Sequence, residues 1–327
     1  TEIYTLSLHD ALPIFIILLK MTETIITNLK TYDVIIIGGS YAGLSAAMAL
    51  GRSLKSVLII DSGLPCNRQT PRSHNFITQD GVKPAAISEK AKAQVLKYDT
   101  VRFLNGIASA GKKTEYRFTV RTREGEEFSA EKLIFASGIK EIMPDIKGFS
   151  DCWGISVIHC PYCHGYEYRG QRTAVFANGE KAFHLASLIN NLTSDIAILT
   201  SGKADFNDGQ TSALKRRGIS IIENEISEIE HENGRVKNVV FRGIDKMKFD
   251  AVYAAVQFEQ HSDIPVSLGC ELTETGHLKI DSSQQTTVEG VYACGDNSSA
   301  LRTVANAVYS GNLAGSMVNR KLTEERF

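Results

Sequence analysis

The hydrophobic positions of the chain fall into short apolar runs separated by stretches with helical periodicity. Residues 32–37 (YDVIII) and 56–60 (SVLII) are rich in β-branched residues, which is typical of parallel strands buried on both faces. Residues 44–54 (LSAAMALGRSL), between them, repeat their apolar positions at helical spacing. A strand, a helix and a second strand in this order predict an α/β fold with a parallel sheet.

The same order of elements returns in the second half of the chain. Residues 172–177 and 195–200 have the pattern of buried strands, and the helical stretch FHLASLINNL lies between them. Other strands are expected within residues 101–128, 133–138, 219–230, 236–242 and 249–256, and other helices at 83–98 and 301–322. Two such units predict two Rossmann-like, three-layer dinucleotide-binding domains.

A glycine-rich turn follows the first strand directly. It consists of Gly38, Gly39, Ser40, Tyr41, Ala42 and Gly43. The turn opens a helix, and Asp61 ends the next strand, so the segment predicts a dinucleotide site with its pyrophosphate at the helix N-terminus and Asp61 on the ribose. Ser40 stands where the second glycine of the motif is usual. An ordinary glycine turn in an α/β domain is the alternative interpretation.

The second turn is less suited to an anionic cofactor. Ala177, Gly179 and Ala182 occupy the small-residue positions, but Glu180 places a carboxylate where a pyrophosphate would lie. The following strand ends in LTSG at residues 199–202, without an arginine pair for a ribose 2′-phosphate. The sequence therefore predicts a weakened NADPH site and leaves NADH open.

Two cysteines at a spacing of three residues lie in a proline turn between two histidines. The segment at residues 159–164 reads HCPYCH, with Cys160 and Cys163 as the pair. A thiol pair at this spacing can close into a small disulfide ring, and helix N–H groups would stabilise a thiolate there. The same pattern also serves zinc sites and c-type haem attachment, so three interpretations stand at this point.

Composition narrows the possible partners. With 36 basic and 37 acidic residues the net charge is −1, so no basic surplus is available for nucleic acid or an anionic membrane. The chain has six cysteines, and one pair has motif spacing. This usage predicts a reducing compartment and a cytoplasmic location.

The N-terminal residues are expected to lie outside the fold. Residues 11–19 (ALPIFIILL) are apolar but too short to span a bilayer, and no basic segment precedes them as in a signal peptide. Residues 1–16 resemble read-through of sequencing-adapter DNA. We therefore expect Met21 to be the native start.

The motifs after Tyr32 resemble, in their order, the low-molecular-weight thioredoxin reductase family of FAD-dependent pyridine nucleotide-disulfide oxidoreductases. The block CPYCHGYEYRG at residues 160–170 is similar to that family's dithiol block, and the strand endings ASG at 136–138 and GD at 295–296 resemble its flavin fingerprints. His164 replaces the family's aspartate. This histidine and the loop HNFITQDG at 74–81 are closest to the branch of dithiol oxidases that act on gliotoxin- and holomycin-type products.

The resemblance implies FAD as cofactor, and it leaves NAD(P)H uncertain. Beside the first glycine turn and Asp61, it implies that Gly138, Gly295 and Asp296 hold the flavin and that Thr303 and Val304 begin a helix against its ring. The long polar loop at residues 63–81 predicts a further contact, from Asn75 to the flavin or its ribityl chain. His74 and Arg68 in that loop fit either a functional or a surface role.

The resemblance also implies a mechanism, in which a haem or a metal has no part. Cys163 faces the flavin, Cys160 exchanges with the substrate and His164 moves protons. We expect a small dithiol to be oxidised, with electrons passing through FAD to oxygen. The alternatives are an NAD(P)H-dependent thioredoxin reductase-like enzyme and a flavin-bearing redox sensor. Cys66, Cys152, Cys270 and Cys294 are expected to be packing residues.

The implied organisation is one dinucleotide domain inserted in another. We predict a tail at 1–30, an FAD domain at 31–144 and 262–327, and an inserted NAD(P)-type domain at 145–261. Residues 138–148 and 257–265 are the expected hinge strands. The implied partners are a small dithiol or disulfide, a thioredoxin-like protein, and a second copy of the chain in a homodimer.

Overall fold

A computed structural model describes residues 29–327 of the chain. In chain order, its strands are β1 Lys30–Ile37, β2 Val57–Asp61, β3 Val101–Asn105, β4 Ala108–Lys113, β5 Phe118–Thr122, β6 Glu127–Phe135, β7 Ile139–Ile142, β8 Val157–Ile158, β9 Thr173–Phe176, β10 Ile196–Leu199, β11 Ser220–Ile222, β12 Ile226–Glu232, β13 Arg235–Phe241, β14 Met247–Lys248, β15 Ala251–Ala254, β16 Gln257–Gln260 and β17 Val291–Ala293. The expectations for residues 1–20 and for a start at Met21 lie outside the described residues.

The helices alternate with these strands as the sequence pattern predicts. They are α1 Tyr41–Arg52, α2 Pro84–Val95, α3 Phe149–Cys152, α4 Pro161–His164, α5 Gly179–Ile189, α6 Asp208–Arg216, α7 Ile264–Ser267 and α8 Val304–Arg326, with a 3₁₀ turn at Tyr166–Tyr168. Within the described residues no helix combines the length and the apolar character needed to cross a membrane.

The first sheet has seven strands in the order β3-β2-β1-β6-β5-β4, with β17 paired to β6. Strands β1, β2, β3 and β17 run parallel to their neighbours, because helices connect them across the sheet. The β-branched run of β1 is buried on both faces. Val34 and Ile36 pack in the core formed with α1 and α8, whereas Ile35 and Ile37 pack in a second core on the opposite face.

The second sheet is parallel and has the order β11-β10-β9-β15-β8. The chain builds it after leaving the first sheet at β6, and it returns to the first sheet with β17. The region predicted as a strand at residues 219–230 is two strands, β11 and β12, which belong to different sheets. The domain boundaries given above stay a prediction.

Two strands link the two sheets. β7 and β16 pair antiparallel as an isolated ribbon, and Phe258 lies opposite Glu141 in its register. Both fall within the segments predicted as hinges. Gly138 and Gly148 flank β7 with φ of +66° and +79°, in the left-handed region that glycine tolerates.

Helix α8 packs closely on α1 through small residues. A Cβ atom on Gly311 would overlap the carbonyl oxygen of Ala42, so glycine at this position permits the close approach. Ala307, Ala314 and Gly315 share the buried face of α8, whereas Ala305 is exposed. This packing fixes the start of α8 beside the glycine turn.

Candidate functional site

The two motif cysteines form a disulfide at the start of α4. Their Cα atoms are 5.3 Å apart. Cys160 is the N-cap of the helix, and Pro161 takes the first helical position, where a missing N–H has no cost. The N–H of Cys163 donates to the Sγ of Cys160 at 3.1 Å. A donor aimed at this sulfur stabilises the thiolate that forms when the disulfide opens.

A cavity of about 610 Å³ joins the dithiol to the glycine turn of the first sheet. Gly39 and Asp61 line one end, and Cys163 and His164 line another part of it. The predicted flavin residues that line this cavity are Gly38, Gly39, Ser40, Ala42, Asp61, Gly138, Gly295, Asp296, Thr303 and Val304. Residues from both ends of the chain therefore meet at one space.

The cavity residues fit an FAD. Helix α1 begins without a side-chain cap and without an acidic residue in its first turn, so its amide groups are open to a pyrophosphate. The carboxylate of Asp61 accepts from the N–H of Gly39 at 2.8 Å, which holds the acid beside the turn. Three buried oxygens of cavity residues have no hydrogen-bond partner: Asn67 Oδ1, Gln69 Oε1 and Ser137 Oγ. Such atoms indicate a polar ligand, because unpaired buried acceptors are costly.

Two predicted flavin residues do not line the cavity. Gly43 lies behind the turn, where a Cβ atom would overlap the carbonyl oxygen of Gly38, so its place in the motif is explained by close packing. Asn75 is exposed, with φ of +58°, and its N–H donates to Asp80 Oδ1 at 2.8 Å. Asn75 is thus not among the residues that line the cavity, and its expected flavin contact stays a prediction.

The histidines of the dithiol segment are shifted toward the neutral form. Burial lowers the pKa of His164, His74 adds to that effect, and Glu167 opposes it. Burial lowers the pKa of His159 to about 3, with Arg302 and His164 contributing, and its Nε2 has no hydrogen-bond partner. At neutral pH, His164 can therefore act as a base, as predicted for it.

The sequence leaves the role of His74 open and does not predict Arg302 or Glu141 at the cavity. His74 packs edge-on against His164, with ring centroids 6.3 Å apart. Arg302 is enclosed between the carboxylates of Glu141 and Asp296, with its Nε 3.3 Å from Asp296 Oδ2. Burial raises the pKa of Asp296, and Arg302 opposes that shift. Only the polar composition of the loop that carries His74 gives a sequence signal for these contacts.

The free cysteines differ in their surroundings. Cys152, Cys270 and Cys294 are buried in the hydrophobic cores. Cys66 instead lines the cavity, so its expected packing role is corrected. Cys66 is exposed to the open cavity, and the surrounding protein atoms, followed by the charge of Asp296, raise the pKa of its thiol. Its thiol stays protonated and is a poor nucleophile.

The N-terminus of α5 is less open to the pyrophosphate of a nicotinamide cofactor than that of α1 is to an FAD. The side chain of Asn178 accepts from the N–H groups of Gly179 at 2.8 Å and Asp205 at 2.9 Å, so the chain itself occupies these donors. The carboxylate of Glu180 stands in the first turn and accepts from Gln210 Nε2 at 2.6 Å. A phosphate bound here would lack the N–H of Gly179 and would meet the carboxylate of Glu180.

In residues 29–327, no group of three histidine, cysteine or acidic side chains is arranged to hold a metal ion. Cys163 of the pair instead lines a cavity formed by backbone turns and by polar and charged side chains, among them Asp61 and Asp296.

The chain is similar to known disulfide oxidoreductases over most of its length. The pyridine nucleotide-disulphide oxidoreductase family matches residues 32–311. Thioredoxin reductase tcpT of Claviceps purpurea (strain 20.1) is 33% identical over 301 residues, covering 89% of this chain and 94% of that protein. Thioredoxin reductase sirT of Leptosphaeria maculans is 32% identical over 317 residues, covering 88% and 93%. The crystal structure of an oxidoreductase from Agrobacterium tumefaciens superposes with a TM-score of 0.84 at 34% identity, covering 90% of this chain and 99% of that one. The predicted resemblance and fold class are confirmed.

Proposed function

We propose that this chain, which belongs to the pyridine nucleotide-disulphide oxidoreductase family, oxidises a small dithiol and passes the electrons through FAD to oxygen. The observation that carries the proposal is the contrast between its two nucleotide turns. The N-terminus of α1 is open to a pyrophosphate, whereas in α5 Asn178 caps the N–H of Gly179 and Glu180 places a carboxylate in the first turn. A flavin site beside a weakened nicotinamide site favours electrons that come from the thiol substrate.

Different cavity residues would hold different parts of the cofactor. The glycine turn and the first turn of α1 bind the pyrophosphate, and Asp61 binds the adenosine ribose. Asp296, Thr303 and Val304 lie toward the flavin end. Bound there, FAD supplies a two-electron acceptor that oxygen can reoxidise.

The two cysteines have different roles. Cys163 lines the cavity and would be the sulfur that faces a bound FAD, whereas Cys160 would form the mixed disulfide with the substrate. Cys160 is 8% exposed in this orientation. The inserted domain therefore turns on the β7–β16 ribbon to present Cys160 to a substrate. His164 takes a proton from the attacking thiol and later returns it.

Anaerobic mixing tests the proposal. The FAD-loaded enzyme is mixed with dithiothreitol or with NADPH or NADH, and the flavin absorbance is followed. We expect the dithiol to bleach the flavin and air to restore it, while neither nicotinamide does so at micromolar concentration. Rapid bleaching by a nicotinamide would instead establish the thioredoxin reductase-like activity, and slow response to all three would favour a redox sensor.

A Cys163→Ser variant separates the dithiol route from direct reduction of the flavin. We expect this variant to bind FAD but to lose bleaching by the dithiol. Cys66→Ser is the matched control, because Cys66 lines the same cavity with a protonated thiol, and it should bleach as the unmodified enzyme does. Full turnover by Cys163→Ser would contradict the assignment.

A further inference from the structure

His74 lies between the dithiol helix and solvent. It belongs to the loop after β2, yet its ring packs edge-on against that of His164, ninety residues further along the chain, with centroids 6.3 Å apart. Both imidazoles line the cavity that Cys163 faces. The contact therefore joins the predicted FAD domain to the predicted inserted domain at the site of proton transfer.

Each ring nitrogen of His74 faces a carboxylate. Nδ1 is 3.5 Å from Asp80 Oδ1, and Nε2 is 3.6 Å from Glu167 Oε1. These distances are slightly longer than hydrogen bonds, as is common in catalytic sites before substrate binds. The His74 side chain is 20% exposed, whereas those of Glu167 and Asp80 are 38% and 67% exposed. The two carboxylates lead from an enclosed imidazole to bulk water.

Closing the Cys160–Cys163 disulfide requires a route for two protons. Two S–H bonds break, one S–S bond forms, two electrons pass to the FAD, and two protons leave the sulfurs. Reduction of oxygen to hydrogen peroxide later consumes both electrons and both protons. A single neutral imidazole can take one proton at a time, so His164 must be discharged before it can accept another.

We propose that His74 is part of a proton relay to solvent that runs from His164 through Glu167 to His74 and on to Asp80. It acts on the sulfur atoms only through His164 and is thus a positioning residue. The inference rests on the proposed function for the direction of proton flow. In the opposite direction, the same path would deliver protons to an opening disulfide.

Chemical rescue tests the relay. Flavin bleaching by dithiothreitol is measured anaerobically for the FAD-loaded enzyme and its His74→Gln variant at low buffer concentration, with and without added imidazole. We expect His74→Gln to bleach about 10- to 100-fold more slowly, the range of a lost acid–base group, and imidazole to restore most of the rate. His184→Gln, at an exposed position on α5, is the matched control and should behave as the unmodified enzyme.

A second readout is independent of turnover. The pKa of His164 is measured by NMR in the oxidised, FAD-loaded enzyme, and we expect it to rise in His74→Gln because His74 lowers it. An unchanged bleaching rate in His74→Gln would overturn the relay. A slow rate that imidazole does not restore would also overturn it, provided that the thermal stability of His74→Gln equals that of the unmodified enzyme. If His74→Gln fails to fold, Asp80→Asn with Glu167→Gln tests the same path, and normal bleaching by that pair would overturn it.

Failure of the proposed function gives a different result. A nicotinamide, and not a dithiol, would then bleach the flavin in the unmodified enzyme and in His184→Gln. The relay is judged in that case from the rate at which NADPH generates free Cys160 and Cys163 thiols. Equal rates of thiol formation in the unmodified enzyme and His74→Gln would overturn the relay. A slow rate in His74→Gln that imidazole restores would support the relay.

Discussion

At the scale of single residues, the protonation of the groups around the dithiol decides which sulfur reacts. Burial keeps His164 and His159 neutral under conditions where an exposed imidazole is partly charged. The surrounding protein atoms also keep the Cys66 thiol protonated, although that residue lines the same cavity. Only the motif cysteines combine a hydrogen-bonded sulfur with a neighbouring base.

His159 gives a prediction for stability against pH. Its folded pKa of about 3 lies below the unfolded reference, so between about pH 6.5 and pH 3 the unfolded chain binds a proton that the folded chain does not. Stability therefore falls as the pH falls through this window. From pH 6.5 to 4.5 we expect a loss of about 2 kcal/mol that a His159→Gln variant does not show.

Urea unfolding of both proteins at the two pH values measures this difference. His184→Gln is again the control, since its exposed ring should leave the acid sensitivity unchanged. Equal acid sensitivity in the unmodified protein and His159→Gln would show that His159 is solvated or charged in the folded state.

At the scale of elements, the close packing of α8 on α1 depends on glycine. In an exposed helix, Gly→Ala raises stability by up to about 1 kcal/mol. At Gly311 the added methyl would overlap the carbonyl oxygen of Ala42, so we expect Gly311→Ala to lower the free energy of unfolding by about 1–3 kcal/mol. Asn312→Ala, on the exposed face of α8, is the control. A stabilised Gly311→Ala variant in urea unfolding would contradict this packing.

Some elements of the fold have clear signals in the sequence, and others have none. The first nucleotide unit is predictable because its signals are local: a β-branched run, a glycine turn and an acid at the next strand end. The break between β11 and β12 has no such signal, because the polar segment at residues 223–225 also fits a continuous edge strand. Asn75 fits a ligand loop by composition, but it does not line the cavity, and its backbone N–H donates to Asp80 in a local turn.

The contacts that complete the site join distant parts of the chain. Arg302 meets Glu141 across 161 residues, and His74 meets His164 across the two predicted domains. Such pairs depend on how the inserted unit packs against the flavin unit, which periodicity and spacing do not encode. The sequence thus predicts the dithiol and the glycine turn, and the structure adds the residues between them.

At the scale of the whole molecule, the proposed turning of the inserted domain can be blocked. A Cβ atom built on Gly154 would lie 3.0 Å from Thr70 Oγ1, so the two predicted domains touch there. Thr70→Cys with Gly154→Cys, in a Cys66→Ser background, can be joined by dibromobimane while Cys160 and Cys163 remain a disulfide. The resulting thioethers resist reduction by a dithiol substrate.

We expect the crosslinked protein to lose its turnover of added dithiols, because Cys160 stays enclosed. The same variant without the crosslinker carries the same strained side chain at position 154, where φ is +75°, and should keep its turnover. Turnover is followed as loss of free substrate thiol. Undiminished turnover in the crosslinked protein would mean that a dithiol reaches the disulfide through the cavity and that no rotation is needed.

The most direct test of the central claim is the stoichiometry of the aerobic reaction without any nicotinamide. The FAD-loaded enzyme is supplied with a small dithiol in air, and dithiol consumed, oxygen consumed and hydrogen peroxide formed are measured together. We expect one molecule of hydrogen peroxide for each molecule of dithiol oxidised. The Cys163→Ser variant should form no peroxide, and the Cys66→Ser variant should form as much as the unmodified enzyme. Dithiol oxidation that requires NADPH or NADH, or that proceeds without peroxide, would contradict the claim.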